Sequence, residues 1–122
     1  MTPARLAPMF LSLTLAGCGA SEEFEISVPG GDAIRGELAL SQYQCGACHV
    51  IPGIAGARGQ VGPPLNAFRL RVYVAGRLPN TPDMLVNFIQ DPPSLVADTA
   101  MPAVGVTEAQ ARDMAAYLYR LE

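Results

Sequence analysis

The sequence predicts an all-α domain of three to five short helices, and three observations carry that prediction. Apolar residues recur at helical spacing in three separate stretches, each opened by a capping residue: Asp32, Thr81 or Thr107. The length of 122 residues bounds the chain to one domain. Twelve glycines and eleven prolines interrupt it, so the helices must be short and the connections many. Half of the residues are hydrophobic, only 7% are aromatic, and 16% are charged, against roughly 25% in an average soluble domain. That is the composition of a packed domain, with a formal net charge of −3 and all eight basic residues Arg. A mildly acidic chain without Lys offers no broad cationic face for phosphates, which excludes nucleic acid as a partner, and it has no polybasic tract for anionic lipid.

In chain order, residues 1–15 carry one positive charge, Arg5, ahead of an apolar stretch through Met9, Phe10, Leu11, Leu13 and Leu15, the layout of an export signal. The stretch is short of the roughly 20 apolar residues that a membrane span needs. Leu15-Ala16-Gly17-Cys18 follows and resembles the lipobox of bacterial lipoproteins, in which cleavage before the Cys leaves a lipid-modified amino terminus. An ordinary signal cleaved at a small-residue site, or a short uncleaved anchor, is the alternative. On the lipobox reading, residues 1–17 are the signal peptide, Cys18 is the lipid anchor, residues 18–31 form an acidic, Gly-ended tether, and residues 32–122 are the folded domain. The protein is then exported and held on the periplasmic side of a bacterial membrane.

The first helix is expected from Asp32 as cap, through Ile34, Gly36, Leu38, Leu40 and Tyr43. Gly36 costs up to about 1 kcal/mol against Ala inside a helix, so a second helix crossing closely there would explain it. This helix leads into Cys45-Gly46-Ala47-Cys48-His49. A C-x-x-C-H run reads as a c-type haem attachment site, in which two thiols bond to the haem vinyl groups and the adjacent imidazole meets the iron. Gly46 and Ala47 are small and would leave the porphyrin edge clear. A thioredoxin-like dithiol would need a βαβ pattern, which is absent, and a structural zinc site four Cys or His ligands, where only Cys45, Cys48 and His49 are at hand. A plain disulfide would leave His49 without a reason.

His49 is the single His, so a sixth iron ligand must be another residue type. Met84 and Met114 fall inside helical patterns, whereas Met101 lies in the loop Asp98-Thr99-Ala100-Met101-Pro102, where Pro102 fixes the chain direction and a loop can turn a thioether toward a metal. Ordinary packing of Met101 over a five-coordinate iron is the alternative. His and Met ligation together raise a haem potential and leave no open position for substrate, which favours electron transfer over catalysis. A ligand sensor or small peroxidase would want polar distal groups, and no His or Arg adjoins Met101 in the sequence.

The remaining elements follow. Phe68, Leu70, Val72 and Val74 alternate with Arg69, Arg71 and Tyr73, the period of an extended segment, which would set the two Arg and the Tyr on one side; Arg71 and Tyr73 are the candidates for the haem propionates, a solvated polar face being the alternative. Thr81 with Pro82 starts a helix carrying Leu85, Phe88 and Ile89, stopped by Pro92-Pro93. Thr107-Glu108-Ala109-Gln110 is a capping box before a last helix with Ala111, Met114, Ala115 and Leu118 on one face, the natural partner for Gly36. No convincing sheet is expected.

Taken together, these residues resemble the class I c-type cytochromes, the small monohaem family. The resemblance spans residues 32–122 and rests on the helix into the C-x-x-C-H run, Gly62-Pro63-Pro64-Leu65, Met101-Pro102 and the terminal helix. It implies the small cytochrome c fold: short helices around one heme c, held through Cys45 and Cys48, with the first and last helices crossing. It further implies that the Pro63 carbonyl accepts a hydrogen bond from His49, that Leu65 packs on the haem face, and that His49 and Met101 ligate the iron. The function implied is electron carriage, without enzymatic turnover, between respiratory partners such as a terminal oxidase, a quinol-oxidising complex or a periplasmic oxidoreductase. A permanently bound subunit of an oxidoreductase is a further possibility. Relatives of the mitochondrial type dock through a ring of Lys; lacking Lys, this chain must use apolar surface, Arg or its partner's charge.

Overall fold

The computed structural model describes residues 25–122. The expected signal peptide, Cys18 and the first part of the tether lie outside the described residues. Four α-helices succeed one another, α1 (Ala33–Gln42), α2 (Pro82–Gln90), α3 (Pro92–Leu95) and α4 (Glu108–Leu118), with two single-turn 3-10 segments, Cys45–Ala47 and Phe68–Leu70, between α1 and α2. Two residue pairs, β1 (Tyr73–Val74) and β2 (Leu78–Pro79), form a minimal antiparallel ribbon, Tyr73 opposite Pro79 and Val74 opposite Leu78. Among the described residues no helix is long and apolar enough to cross a membrane.

The caps stand where the sequence puts them. Asp32 accepts the Arg35 N–H at 2.9 Å, Thr81 accepts that of Met84 at 3.4 Å, and Thr107 and Gln110 close a reciprocal capping box. Pro82 opens α2 without loss, because a first-turn N–H has no intrahelical partner. After Asp91 the chain does not simply stop at Pro92-Pro93. Both prolines enter the first turn of α3, which is four residues long.

The core is organised by α1 and α4, the most extensively packed pair, with α2 laid against α4. On α4, Ala111, Met114, Ala115 and Leu118 are buried as their spacing predicts, and α1 meets them with Ala33, Gly36, Ala39 and Leu40. Gly36 sits directly on the backbone of α4. A Cβ there would overlap the Asp113 carbonyl oxygen and lie 2.6 Å from its carbon, so a crossing this close requires glycine. Asp113 locks the same crossing from the side. Only 6% exposed, it accepts the Asp32 N–H at 2.8 Å and both arms of Arg35, at 2.8 and 2.9 Å. The Arg35 guanidinium holds the Asp113 carboxyl below the ordinary carboxylate range, against the opposing effect of burial.

Two expectations change. The stretch at 68–74 is not a continuous strand: Ala67 takes a left-handed conformation (φ 51°), Phe68–Leu70 coils into a 3-10 turn, the chain is extended again at Arg71, and only Tyr73 and Val74 pair as a strand. Phe68 and Val74 are buried as alternation demands, but Leu70 and Val72 are about 70% exposed. Arg69 accordingly leaves the side shared with Arg71 and Tyr73 and pairs with Glu122 at 2.7 Å. Second, packing begins ahead of Asp32. Val28 is buried and Ile26 packs partly against the same core, so the described part of the 18–31 stretch contributes apolar contact.

Candidate cofactor site

The turn that carries the two cysteines is made by local geometry. Gln44 is left-handed (φ 55°), after which Cys45–Ala47 coils as a 3-10 turn with the N–H groups of Cys48 and His49 both donating to the Cys45 carbonyl, at 3.2 and 3.0 Å. Three residues per turn eclipse Cys45 and Cys48, so both thiols face one way, half-buried and with no disulfide between them. Burial pushes the Cys45 thiol above its ordinary range. The smallness of Gly46 has a different reason from the one expected. A Cβ on Gly46 would lie 2.6 Å from that of Ala57, in the loop behind the turn, and neither Gly46 nor Ala47 reaches the cavity described next.

Cys45, Cys48 and His49 line a cavity of about 480 Å³, well within the roughly 300–1,000 Å³ usual for cofactor pockets. Its floor is apolar: Leu40 of α1, Leu85, Phe88 and Ile89 of α2, Met114 and Leu118 of α4. Pro63 and Leu65 belong to its wall on the His49 side, and Met101 on the α3–α4 loop. Arg71 and Tyr73 line it as well, so every cofactor residue expected within the domain meets at one cavity. Among the described residues no cluster of three or more Cys, His, Asp or Glu forms a metal site. The Cys-Cys-His run therefore stands as a turn opening on a large apolar space.

His49 is held with defined polarity. Its Nδ1 lies 2.7 Å from the Pro63 carbonyl oxygen, and a carbonyl can only accept, so Nδ1 carries a proton and Nε2 is the nitrogen left to face the cavity. Gly62 allows this approach, since a Cβ there would overlap the imidazole. The loop is tied down on both flanks, by Gly62 N–H to the Cys48 carbonyl and Leu65 N–H to the Val50 carbonyl, each 2.8 Å. Met101 is half-buried, its N–H donating to Thr99 Oγ1 at 3.2 Å.

Some lining residues carry no local sequence signal. Arg77 and Asp98 pair at 3.1 Å on the cavity wall, three residues before Met101; an Arg does stand near that loop in space, but its guanidinium is committed to a carboxylate. Arg71 donates to the carbonyls of Pro64 and, at 3.2 Å, Asn66, and lies over the Phe68 ring at 5.3 Å. Met114, wholly buried, also touches the cavity, a second thioether from within α4.

The chain is similar to cytochrome c2 from Rhodobacter sphaeroides, a protein of known crystal structure, at 23% identity and a TM-score of 0.54, over 75% of this chain and 96% of that one. The fold is that of a small cytochrome c. No protein-family model and no curated protein matches the sequence. Within a cytochrome c fold the residues here fit a covalently held haem: two free thiols on one turn, an imidazole with its outer nitrogen already bonded, a thioether opposite in sequence, and an apolar cavity between them.

Proposed function

We propose that this protein is a monohaem c-type electron carrier, tethered to the periplasmic face of a bacterial membrane and exchanging single electrons with respiratory partner proteins. The observation that carries the reading is the convergence of Cys45, Cys48, His49 and Met101 on one apolar cavity, with the Nδ1–H of His49 already bonded to Pro63. Cys45 and Cys48 would hold heme c as thioethers, and His49 Nε2 and Met101 Sδ would be the iron ligands. The bound group would supply a one-electron ferrous/ferric couple.

The protein's own part is to hold, orient and keep dry. The Pro63 carbonyl fixes the His49 tautomer and raises the imidazole's donor strength. Leu65, Phe68, Leu85 and Leu118 exclude water, which would otherwise stabilise the more highly charged oxidised state. Arg71 and Tyr73, which line the cavity wall, would receive the propionates. With His49 and Met101 both given to the iron there would be no place for substrate, so the protein would act as a carrier and not as an enzyme.

Optical spectra of the oxidised holoprotein test the reading. The wild type should show the far-red thioether-to-iron band and Met101→Ala should lose it; a wild type without the band would refute His/Met ligation. Lipid attachment at Cys18 is tested separately: Cys18→Ser should move the haem protein from the membrane to the soluble periplasmic fraction, and retention in the membrane would refute it.

A further inference from the structure

Asn80 lies just outside the cavity, half-buried between β2 and the cap of α2, and its side chain joins three separate segments of the chain. Its Nδ2 donates to the carbonyls of Phe68, at 3.2 Å, and Arg71, at 2.9 Å. Two carbonyls can only accept, so the amide nitrogen faces them and Oδ1 faces Tyr119, whose hydroxyl donates to it at 2.8 Å. The Asn80 N–H adds a bond to the Val72 carbonyl at 2.9 Å. Tyr119 is 2% exposed at the end of α4, and burial pushes its phenol up to about 12, so it remains a donor.

The backbone gripped by Asn80 is that of Arg71, and the Arg71 guanidinium in turn holds the carbonyls of Pro64 and Asn66. Pro63, the preceding residue, carries the oxygen that receives the His49 proton. A continuous series of hydrogen bonds thus runs from α4 through Tyr119, Asn80 and Arg71 to the loop behind the imidazole. The link inside Arg71 is covalent, from the gripped carbonyl along the side chain to the guanidinium, so what passes along the series is position.

We propose that Asn80, steadied by Tyr119, is a positioning residue for His49: it sets, through Arg71, how firmly the Pro63 carbonyl receives the Nδ1 proton. The inference rests on His49 being the iron ligand proposed above. A firm acceptor makes the imidazole a stronger donor and favours ferric iron, so loosening the series should raise the reduction potential. Neither Asn80 nor Tyr119 borders the cavity; both also bear on Phe68, Tyr119 through its ring at 5.9 Å and Asn80 through the Phe68 carbonyl, so the His49 signals, and not the potential alone, report this route.

The test uses the haem-loaded protein with Asn80→Asp, which removes the amide donor from the two carbonyls, and Tyr119→Phe, which removes one hydroxyl. Reduction potential and the hyperfine-shifted NMR signals of the His49 ring are read alongside thermal stability. Both variants should keep the far-red Met101 band, raise the potential and move the His49 signals, Asn80→Asp more than Tyr119→Phe. Unchanged His49 signals in both variants, whatever happens to stability or potential, would overturn the proposal, while the carrier reading would stand. If Asn80→Asp fails to fold, Tyr119→Phe decides alone, by the same two readouts. A wild type that takes up no haem would instead overturn the proposed function and this inference with it.

Discussion

Replacing Gly36 by Ala sets two effects against each other, and the geometry decides between them. Ala is preferred to Gly in a helix interior by up to about 1 kcal/mol, so on an exposed turn the substitution would stabilise. At position 36 the new methyl group would overlap the Asp113 carbonyl oxygen, with the Asp113 carbon at 2.6 Å and the Met114 nitrogen at 3.1 Å. All three are main-chain atoms of α4, and none can swing aside as a side chain would. The helices must part, and with them the contacts of Ala39, Leu40, Ala111 and Ala115 loosen. Overpacking of this kind costs about 1–3 kcal/mol. Because the overlap is with rigid main chain, the upper part of that range, about 2–3 kcal/mol, applies; less a propensity gain of about 1 kcal/mol, Gly36→Ala should destabilise by about 1–2 kcal/mol, which for a domain of this size lowers Tm by roughly 5–15 °C. Thermal unfolding of the holoprotein followed by far-ultraviolet circular dichroism measures it. Ser41→Ala, on the exposed side of the same helix, serves as control and should raise Tm slightly. A Gly36→Ala protein as stable as the wild type, or more so, would refute the close crossing.

Three further outcomes follow from the described contacts. Met114, wholly buried beneath the cavity, should cost about 2–5 kcal/mol when cut to Ala yet leave the far-red band in place, whereas Met101→Ala should remove the band; loss of the band in Met114→Leu would reverse the assignment. Because the folded state holds the Asp113 carboxyl below its ordinary 3.8, the stability it contributes is present above that pH and is lost as pH falls toward the lower folded value. Tm measured against pH should therefore fall less steeply in acid for Asp113→Asn than for the wild type, and equal slopes would count against the Arg35 pairing. Tyr119, raised from 10.0 to about 12, contributes stability that is complete below about pH 10 and disappears as pH rises through that window; burial also raises Tyr117, so tyrosinate absorbance should show late-titrating phenols, of which Tyr119→Phe removes the one near 12.

What the sequence discloses about this fold is whatever local chemistry encodes. Asp32, Thr81 and Thr107 announce helix starts because a capping oxygen acts within three residues of itself. Gly36 was legible because glycine in a helix carries a cost that only close packing explains. The cysteine turn and Pro63 were legible through spacing and family resemblance, and the structure places His49 against the Pro63 carbonyl. The 68–74 segment misled because its alternation is real but its backbone is set from a distance, by Asn80 gripping the Phe68 and Arg71 carbonyls and by Glu122 drawing Arg69 away. Asp113 reads as an exposed helical residue until Arg35 arrives from 78 positions earlier. Asn80 sits in a Pro-Asn-Thr-Pro run, where turn chemistry explains an Asn sufficiently and conceals its reach.

The pairing of α1 with α4 also sets an order of events during synthesis. The contact that closes the core joins Gly36 to Asp113, near the two ends of the domain, so it cannot form until almost the whole chain has emerged. Until then the turn bearing Cys45 and Cys48, only a few residues beyond α1, lacks the partner helix that completes the cavity floor. The same topology that brings Met114 and Leu118 to the cavity floor in the finished protein therefore leaves both thiols more open for as long as α4 is missing.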